Sequence, residues 1–376
     1  MRYETEGCFL IWIIIFFSAA LAAFAGIFYL FSRVRRLAPF CRLTERHKVL
    51  SWVAAAAPVT ALSAGIFCCF NLFTMIVVIL HLMFIWIACD IIGTVCHKIT
   101  KKKRHYGIEA AAVLFITSAV LGIGWYYAHD VRATRYSLQT DKSLGGAPLR
   151  IVLFADSHLG VTMNGDGFAK EMDRIQAEKP DLIIIAGDFV DDDTEKQDML
   201  AACEKLGSMQ TEYGIFYCYG NHDNGYFGYR NFTPQELRDA LEANHVSILE
   251  DSAQLIDDRF YLIGRKDRNM EDRISALDLT AGLDASKYII MVDHQPNDYQ
   301  NEADAGADLV LSGHTHGGHI FPAGQIGLLL RMNDAVYGRE TRGTCDFIVT
   351  SGISGWAIPF KTGCISEYCV IDISES

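Results

Sequence analysis

Carboxylate, amide and imidazole side chains follow five apolar segments in the C-terminal part of the chain, each at the point where its segment ends. The central segment is Leu182–Ile185, which leads through Gly187 to Asp188. A short run of apolar strand formers bounded by turn residues predicts a buried strand, and open α/β sheets bind ligands at the carboxyl ends of their strands. A single Gly-Asp pair is more often only a turn, so the interpretation of Asp188 depends on the other four segments.

The other four segments end in side chains of the same kinds. Their exits read Asp156-Ser-His158, Gly220-Asn221-His222-Asp223, Asp293-His294 and Gly313-His314-Thr-His316. Together these residues offer mixed oxygen and nitrogen donors, which suit Mn, Fe, Zn or Co better than Ca or Mg alone. No cysteine stands at any of the five exits, which argues against a structural zinc site of the thiolate type. The sequence therefore predicts a metal site built from several strand ends.

Helical segments separate the predicted strands and would hold these exits in place. Apolar residues recur with helical spacing in 165–179 and 196–209, which lie between the apolar segments 149–155, 182–185 and 214–219. Strands that alternate with helices indicate an α/β domain. Further strands are predicted at 246–249, 260–264, 288–292, 309–311, 347–350 and 368–373.

As a set, the five exits resemble the sequence blocks of the calcineurin-like metallophosphoesterases. The family pattern is Asp-x-His, Gly-Asp-x-x-Asp, Gly-Asn-His-Asp/Glu, a later His, and Gly-His-x-His, and all five blocks occur here in that order. The resemblance covers the chain from about residue 145 to the end and is closest to the membrane-associated bacterial branch with a Gly-His-Thr-His-Gly-Gly block. The usual next residue in that branch is Gln, whereas this chain has His319, so the role of position 319 stays open. The resemblance implies a four-layer αββα sandwich, in which two facing mixed β-sheets are flanked by helices.

The resemblance also implies a centre of two divalent metal ions and a role for each residue around it. One ion would be held by Asp156, His158, Asp188 and His316, and the other by Asp188, Asn221, His294 and His314. Asp188 would bridge the two ions, whose identity among Mn, Fe, Zn and Co stays open. His222 would be a catalytic residue that stabilises charge or protonates the leaving oxygen, with Asp223 orienting it. Asp191 would steady a ligand histidine.

The N-terminal third has a different composition and predicts a four-helix transmembrane region over residues 1–127. Its apolar stretches are long enough for bilayer spans of about 20 residues. The predicted spans are about 8–31, 49–70, 73–95 and 108–127. Residues 1–129 carry 12 basic and 5 acidic residues, whereas the remainder carries 21 basic and 40 acidic residues. Such an acidic domain argues against a nucleic-acid backbone as a partner.

Basic residues cluster in alternate loops of this region, in 33–48 and in 98–104. The positive-inside rule places both loops in the cytoplasm. The prediction is therefore a multi-pass protein of the cell membrane, with a linker and first strand at 128–148 and an extracytoplasmic catalytic domain at 149–376. Asp90 lies near the inner end of the third span, where it can reach a basic loop, and its role stays open.

These predictions combine into a membrane-anchored, metal-dependent phosphoesterase that hydrolyses a phosphoester bond with a hydroxide activated by two metal ions. The short connector after the fourth span would hold the domain at the outer leaflet of the lipid bilayer. The substrate hypothesis is a phosphodiester or pyrophosphate bond in a lipid-borne or envelope-derived molecule. A basic patch of Arg265, Lys266 and Arg268 would face the membrane.

Three alternatives differ in what the spans and the domain do. A general phosphomonoesterase would use the spans only as an anchor. A non-catalytic membrane sensor would use a phosphoesterase-like domain only for binding, although no predicted ligand is missing from this chain. A transporter with an appended domain is disfavoured, because the four predicted spans show no inverted repeats or broken helices.

Overall fold

The computed structural model describes residues 2–226 and 228–376, and the chain divides into two compact units, 1–123 and 124–376. The helices of the first unit are α1 (Arg2–Val34), α2 (Ala38–Arg46), α3 (Lys48–Cys69), α4 (Leu72–Thr100) and α5 (Tyr106–His129). Four of them, all except α2, are long and apolar enough to cross a membrane, which confirms the four predicted apolar helices. The division between the units falls inside α5, slightly before the predicted boundary at residue 127.

A cluster of ion pairs closes one end of the helical unit. The carboxylate of Asp90 in α4 accepts hydrogen bonds or ion pairs from Arg33 at 2.8 Å and from Arg104 at 2.6 Å. Arg36 lies 3.3 Å from the same carboxylate, and Arg104 also pairs with Glu109. The two basic loops therefore meet at the same end of this unit, with Asp90 between them.

The second unit contains two sheets of six strands each. The strands of the first sheet are β1 (Arg132–Thr140), β2 (Leu149–Phe154), β3 (Leu182–Ala186), β4 (Ile215–Cys218), β5 (Val246–Ile248) and β12 (Glu367–Glu375). Those of the second are β6 (Ser252–Ile256), β7 (Phe260–Gly264), β8 (Tyr288–Val292), β9 (Leu309–Ser312), β10 (Gly338–Arg342) and β11 (Cys345–Val349). Their orders are β1-β12-β2-β3-β4-β5 and β10-β11-β9-β8-β7-β6, and both sheets mix parallel and antiparallel pairs.

The apolar strands are buried on both faces because the sheets face each other and helices cover their outer sides. Alternate residues of β2 point to opposite faces of the first sheet and belong to two different hydrophobic cores. Ile151 and Leu153 pack with residues of the second sheet, whereas Val152 and Phe154 pack under helices. The helices over the first sheet are α6 (Gly165–Ala177), α7 (Lys196–Gly207) and α8 (Pro234–Ala243), and those over the second include α9 (Ala276–Thr280) and α10 (Tyr299–Asp304). The predicted four-layer αββα sandwich is thus confirmed.

The chain enters the sheet almost directly after α5. The backbone N–H of Arg132 donates to the carbonyl of Ser366 at 3.0 Å, and β1 then pairs in parallel with β12 along its whole length. This strand lies within the segment 128–148 in which a linker and first strand are predicted. Strands β6 and β10 were not predicted, because their largely exposed, polar residues carry no buried-strand pattern.

Candidate metal centre

All seven predicted metal ligands lie together at the carboxyl ends of β2, β3, β4, β8 and β9. Strands β2, β3 and β4 run parallel in one sheet, and β8 and β9 run parallel in the other. The exits are joined across the sheets, because the Asp156 carboxylate accepts the backbone N–H of His314 at 3.0 Å. The ring nitrogen Nδ1 of His294 likewise lies 2.7 Å from the carbonyl of Ala186. The parallel topology therefore brings ligands that are distant in sequence to one place.

The first group of converging side chains consists of Asp156, His158 and His316, all buried. The Nε2 atoms of the two histidines lie 3.2 Å apart, and Nε2 of His316 lies 3.8 Å from a carboxylate oxygen of Asp156. Two imidazole nitrogens bound to one zinc ion at 2.0–2.1 Å with tetrahedral angles are roughly 3.3 Å apart. The spacing therefore fits one cation shared by the two rings.

The second group consists of Asp188, His294 and His314, with Asn221 beside them. The amide oxygen Oδ1 of Asn221 lies 2.8 Å from Nδ1 of His314 and 3.2 Å from Nε2 of His294. Carboxylate oxygen Oδ2 of Asp188 lies 3.1 Å from Nε2 of His294 and 3.6 Å from Nε2 of His158. Asp188 is thus the side chain that stands between the two groups.

The backbone at the strand exits explains why glycine precedes Asp188. Gly187 has a φ of 85°, and a Cβ atom there would lie 2.6 Å from both Nδ1 of His294 and the backbone nitrogen of Gly220. Asp188 itself has a φ of 52°, and Asp156 one of 55°. Left-handed backbone at non-glycine residues is uncommon and clusters at functional sites. The exits therefore turn sharply at the residues that carry the predicted ligands.

The electrostatic environment shifts the pKa values of the predicted ligands in different directions. Burial raises the pKa of Asp188, but His294 and His222 outweigh it and hold the pKa well below its usual range. Burial lowers the pKa of His314 to about 3 and holds that of His316 well below its usual range. Neutral imidazole is the form that binds metal ions. Burial also raises the pKa of Asp156 to about 6. Burial lowers the pKa of His294, but Asp188 outweighs it and raises the pKa well above its usual range. His314 and His316 are therefore already neutral, whereas a cation bound at His294 would displace a proton from it.

His222 lies beside the two groups and is held by Asp191. Nδ1 of His222 lies 3.0 Å from one carboxylate oxygen of Asp191, and Nδ1 of His158 lies 2.9 Å from the other. Burial lowers the pKa of His222, but Asp188 and Asp191 outweigh it and raise the pKa to about 9. A single carboxylate therefore fixes both a predicted ligand and the predicted catalytic histidine.

The prediction that Asp223 orients His222 is wrong. The Asp223 carboxylate is buried and accepts hydrogen bonds from backbone N–H groups of the two neighbouring strand exits. Its donors are Asp188, Phe189, Val190 and Gly220, at 2.7–3.2 Å. Adjacent side chains on a turn diverge, so Asp223 points into the loops while its neighbour His222 points to the site. Asp223 holds the loop that carries Asp188.

Three further residues surround the centre. Tyr226 accepts a hydrogen bond from Nδ2 of Asn221 at 2.9 Å, and its ring centroid lies 4.9 Å from that of His222. The Trp356 ring lies 5.5 Å from His222, in a loop whose sequence has no periodic pattern that would have predicted it. The ring of His319 stacks on His316 at 5.4 Å. The departure from Gln at position 319 drew attention to His319 in the sequence, but nothing in the sequence predicted that its ring would stack on His316.

Comparison with known proteins agrees with this geometry, and residues 149–318 match the family model of the calcineurin-like phosphoesterases. An uncharacterized metallophosphoesterase of Aquifex aeolicus is 32% identical over 199 residues, covering 52% of this chain and 73% of the relative. One of Campylobacter jejuni is 28% identical over 302 residues, 78% of each chain. A transmembrane protein with a metallophosphoesterase domain from Danio rerio is 28% identical over 251 residues, covering 62% of this chain and 55% of that protein. The chain belongs to the calcineurin-like metallophosphoesterase family.

Proposed function

We propose that the protein is a membrane-anchored enzyme that hydrolyses a phosphoester bond with two divalent metal ions. The observation that carries the proposal is the position of Asp188, whose Oδ2 lies within 3.6 Å of a histidine nitrogen from each ligand group. A carboxylate so placed can bridge two cations. The family membership supports the same chemistry.

The residues present fit such a pair of ions. Asp156, His158, His316 and Asp188 would hold one, and Asp188, Asn221, His294 and His314 would hold the other. Divalent ions at these positions would supply Lewis-acid activation of water and of the phosphoryl oxygens. Their identity among Mn, Fe, Zn and Co is left to measurement, because mixed nitrogen and oxygen donors suit all four.

His222 is proposed as the catalytic residue that donates a proton to the leaving oxygen. Asp191 binds its Nδ1, so Nε2 is the nitrogen that would face the substrate. His222→Ala should lower kcat by about 10²–10⁴-fold, the usual contribution of a general acid. Elemental analysis should still find both metals. Loss of a metal from this variant would show that His222 is a ligand instead.

The enzyme activity is tested with purified full-length protein in detergent, stripped with a chelator and reloaded with each candidate metal. We expect turnover of at least one member of a panel of phosphomonoesters, phosphodiesters, pyrophosphates and phospholipid headgroups, and we expect the chelator to abolish it. Turnover of monoesters alone would favour the general phosphomonoesterase. No turnover of any member with both metals bound would favour the non-catalytic sensor.

We further propose that the domain is extracytoplasmic. Arg33 and Arg104, from the two basic loops, both contact Asp90, so the loops share one end of the helical unit. Basic loops mark the cytoplasmic side. A phosphatase reporter fused after Tyr127 should therefore be active, whereas the same reporter fused within residues 98–104 should be inactive. The opposite pattern would reverse the orientation.

A lipid-borne or envelope-derived phosphodiester or pyrophosphate remains the substrate proposal, but the predicted basic patch does not support it. Arg265 is buried and bound by Asp293, Asp298 and Glu302. Lys266 pairs with Asp272 at 2.5 Å. Support for a lipid-borne substrate must therefore come from another surface of the domain.

A further inference from the structure

An uncharged, apolar segment follows the metal-binding loop directly. Residues 320–330 read IFPAGQIGLLL, and they begin immediately after His319. They form helix α11 (Ala323–Leu329) and its flanks. Exposed side chains of this segment include Phe321 at 62% and Leu329 at 82% of their full surface. Such a run of exposed apolar residues without a charge marks an interaction surface.

Glycine determines which face of α11 is exposed. Gly324 and Gly327 are the buried positions, and a Cβ atom at Gly324 would lie 2.8 Å from the Cα of Gly318. The helix therefore rests directly on the loop that carries His316. Leu329 and Leu330 follow Ile326 by three and four residues, and the three form an exposed stripe along the other side.

The same segment is connected to the end of the fourth membrane-capable helix. The backbone N–H of Phe321 donates to Oγ1 of Thr362 at 3.1 Å. The neighbouring Lys361 N–H donates to the carbonyl of Gly124 at 2.9 Å, and a Cβ atom at Gly124 would lie 3.0 Å from the Thr362 methyl group. The side chain of Thr362 therefore lies between the backbone of Phe321 and the last turns of α5.

The last turns of α5 have the character of a membrane boundary. Trp125 and Tyr126 are about half exposed, and Arg132 stacks over the Tyr126 ring at 5.8 Å. Tryptophan and tyrosine are enriched where a span leaves the hydrocarbon region. Thr362 thus links the apolar segment 320–330 to Gly124, which directly precedes this aromatic pair in a membrane-capable helix.

We propose that residues 320–330 are embedded in the interface of the lipid bilayer that α5 crosses. Embedding removes Phe321, Ile326, Leu329 and Leu330 from water, which is favourable for apolar surface. No charged side chain of the segment would have to be desolvated. The connection to α5, a helix long and apolar enough to cross a membrane, is the reason to expect that this apolar surface contacts lipid.

A substrate class follows from this placement, and this part rests on the proposed hydrolysis. The embedded segment packs on Gly318 and begins one residue after His319, so the metal centre would open at the headgroup level of the leaflet. The substrate class is then an amphiphile whose phosphoester lies in its headgroup. Lateral diffusion in the membrane would deliver it at high effective concentration.

The membrane contact is tested with full-length protein in phosphatidylcholine liposomes that contain a phospholipid with a photoactivatable acyl chain. Mass spectrometry should find lipid adducts within residues 320–330. A matched control is the segment 270–278, which carries exposed Met270, Ile274 and Leu277 but also acidic residues, and should remain unlabelled. Labelling of α3 and α4 without any adduct in 320–330 would overturn the proposal, as would equal labelling of both segments. Burial of the segment against a second copy of the chain would leave it unlabelled and would count against the proposal too.

The substrate class is tested with two variants of equal chemistry. Leu329→Asp should lower the rate on a vesicle-borne ester by roughly tenfold and leave the rate on a soluble ester of the same headgroup unchanged. Leu277→Asp, at another exposed leucine, should change neither rate. An equal loss on both esters, or none on the lipid ester, would overturn the substrate class. Failure of the proposed hydrolysis would appear differently, as no turnover of either ester by the unaltered protein, while the lipid adducts would still report the membrane contact.

Discussion

Two buried clusters of charged and titratable side chains lie side by side at the end of β8, and they are balanced in different ways. In one, Asp293 and Glu302 are bound by Arg265 at 3.1 and 2.9 Å, and Arg273 also donates to Asp293. In the other, which begins one residue later at His294, histidines are the ion-pair partners that the described residues provide for Asp156 and Asp188. Among the described residues, no arginine or lysine forms an ion pair with Asp156 or Asp188.

The difference separates a structural cluster from a ligand-binding one. Burying carboxylates is costly unless a cation compensates for the lost hydration. The arginine cluster contains its own cations, so it is complete within the chain. The histidine cluster offers lone pairs from imidazole and carboxylate groups, and a divalent cation from outside would complete it. The same strand end thus carries a cluster that is balanced within the chain on one side and a candidate metal site on the other.

The largest effect is expected from Asp188→Asn, because this change removes the charge between the two ligand groups. Both metals should be lost or weakly bound, and turnover should fall below detection. Elemental analysis and activity of the full-length protein measure the two results. Asp193→Asn is the matched control, since Asp193 is exposed and outside both ligand groups. Full activity of Asp188→Asn would remove the basis for a bridging carboxylate.

A smaller effect, on stability and not on chemistry, is expected from Arg265→Met. Removing one partner of a buried ion cluster leaves uncompensated carboxylates and costs roughly 3–5 kcal/mol of unfolding free energy. Lys266→Met should cost well under 1 kcal/mol, since its partner Asp272 is largely exposed. Denaturant unfolding in detergent micelles compares the two. If Arg265→Met instead emptied the metal centre of the folded protein, the two clusters would not be separable.

The sequence predicts the metal-binding cluster better than the arginine cluster, for a physical reason. Each strand exit is a local pattern, an apolar strand followed by glycine or a ligand, so Asp156, Asp188 and His294 can be recognised one by one. Parallel topology then brings them together. The burial of Arg265 depends on Asp293 and Glu302, 28 and 37 residues away. Nothing near Arg265 in sequence distinguishes it from an exposed basic residue.

The same dependence on residues distant in sequence explains why the wrong partner was predicted for His222. Asp223 is its neighbour in sequence, whereas its actual partner, Asp191, is 31 residues away on another strand exit. The resemblance implied the neighbouring carboxylate, but adjacent side chains on the turn diverge, so the Asp223 carboxylate binds backbone N–H groups instead of the ring.

The smallest effect on activity is expected from Asp191→Asn, and comparison with Asp223→Asn distinguishes the roles of these two carboxylates. Asp191 contacts Nδ1 of both His158 and His222, so Asp191→Asn would present an amide N–H to one of them and disturb its tautomer. We expect a loss of activity of about 10–100-fold, as for other groups that orient metal ligands, with little change in unfolding free energy.

Asp223 should respond in the opposite way, because its carboxylate accepts backbone N–H groups of the 187–190 loop and of Gly220 and so positions these two strand exits. Replacing it by Asn exchanges one acceptor oxygen for a donor that faces other donors, which should lower the unfolding free energy by roughly 1.5–3 kcal/mol per charged hydrogen bond lost. The folded fraction of Asp223→Asn should shift its pH profile of kcat less than Asp191→Asn does, since Asp191 contacts the His222 ring directly and the charge of Asp223 contributes less to the pKa of His222. Should the two variants change kcat and its pH profile alike, Asp191 would not be the residue that positions His222, and the loop held by Asp223 would have to carry that role.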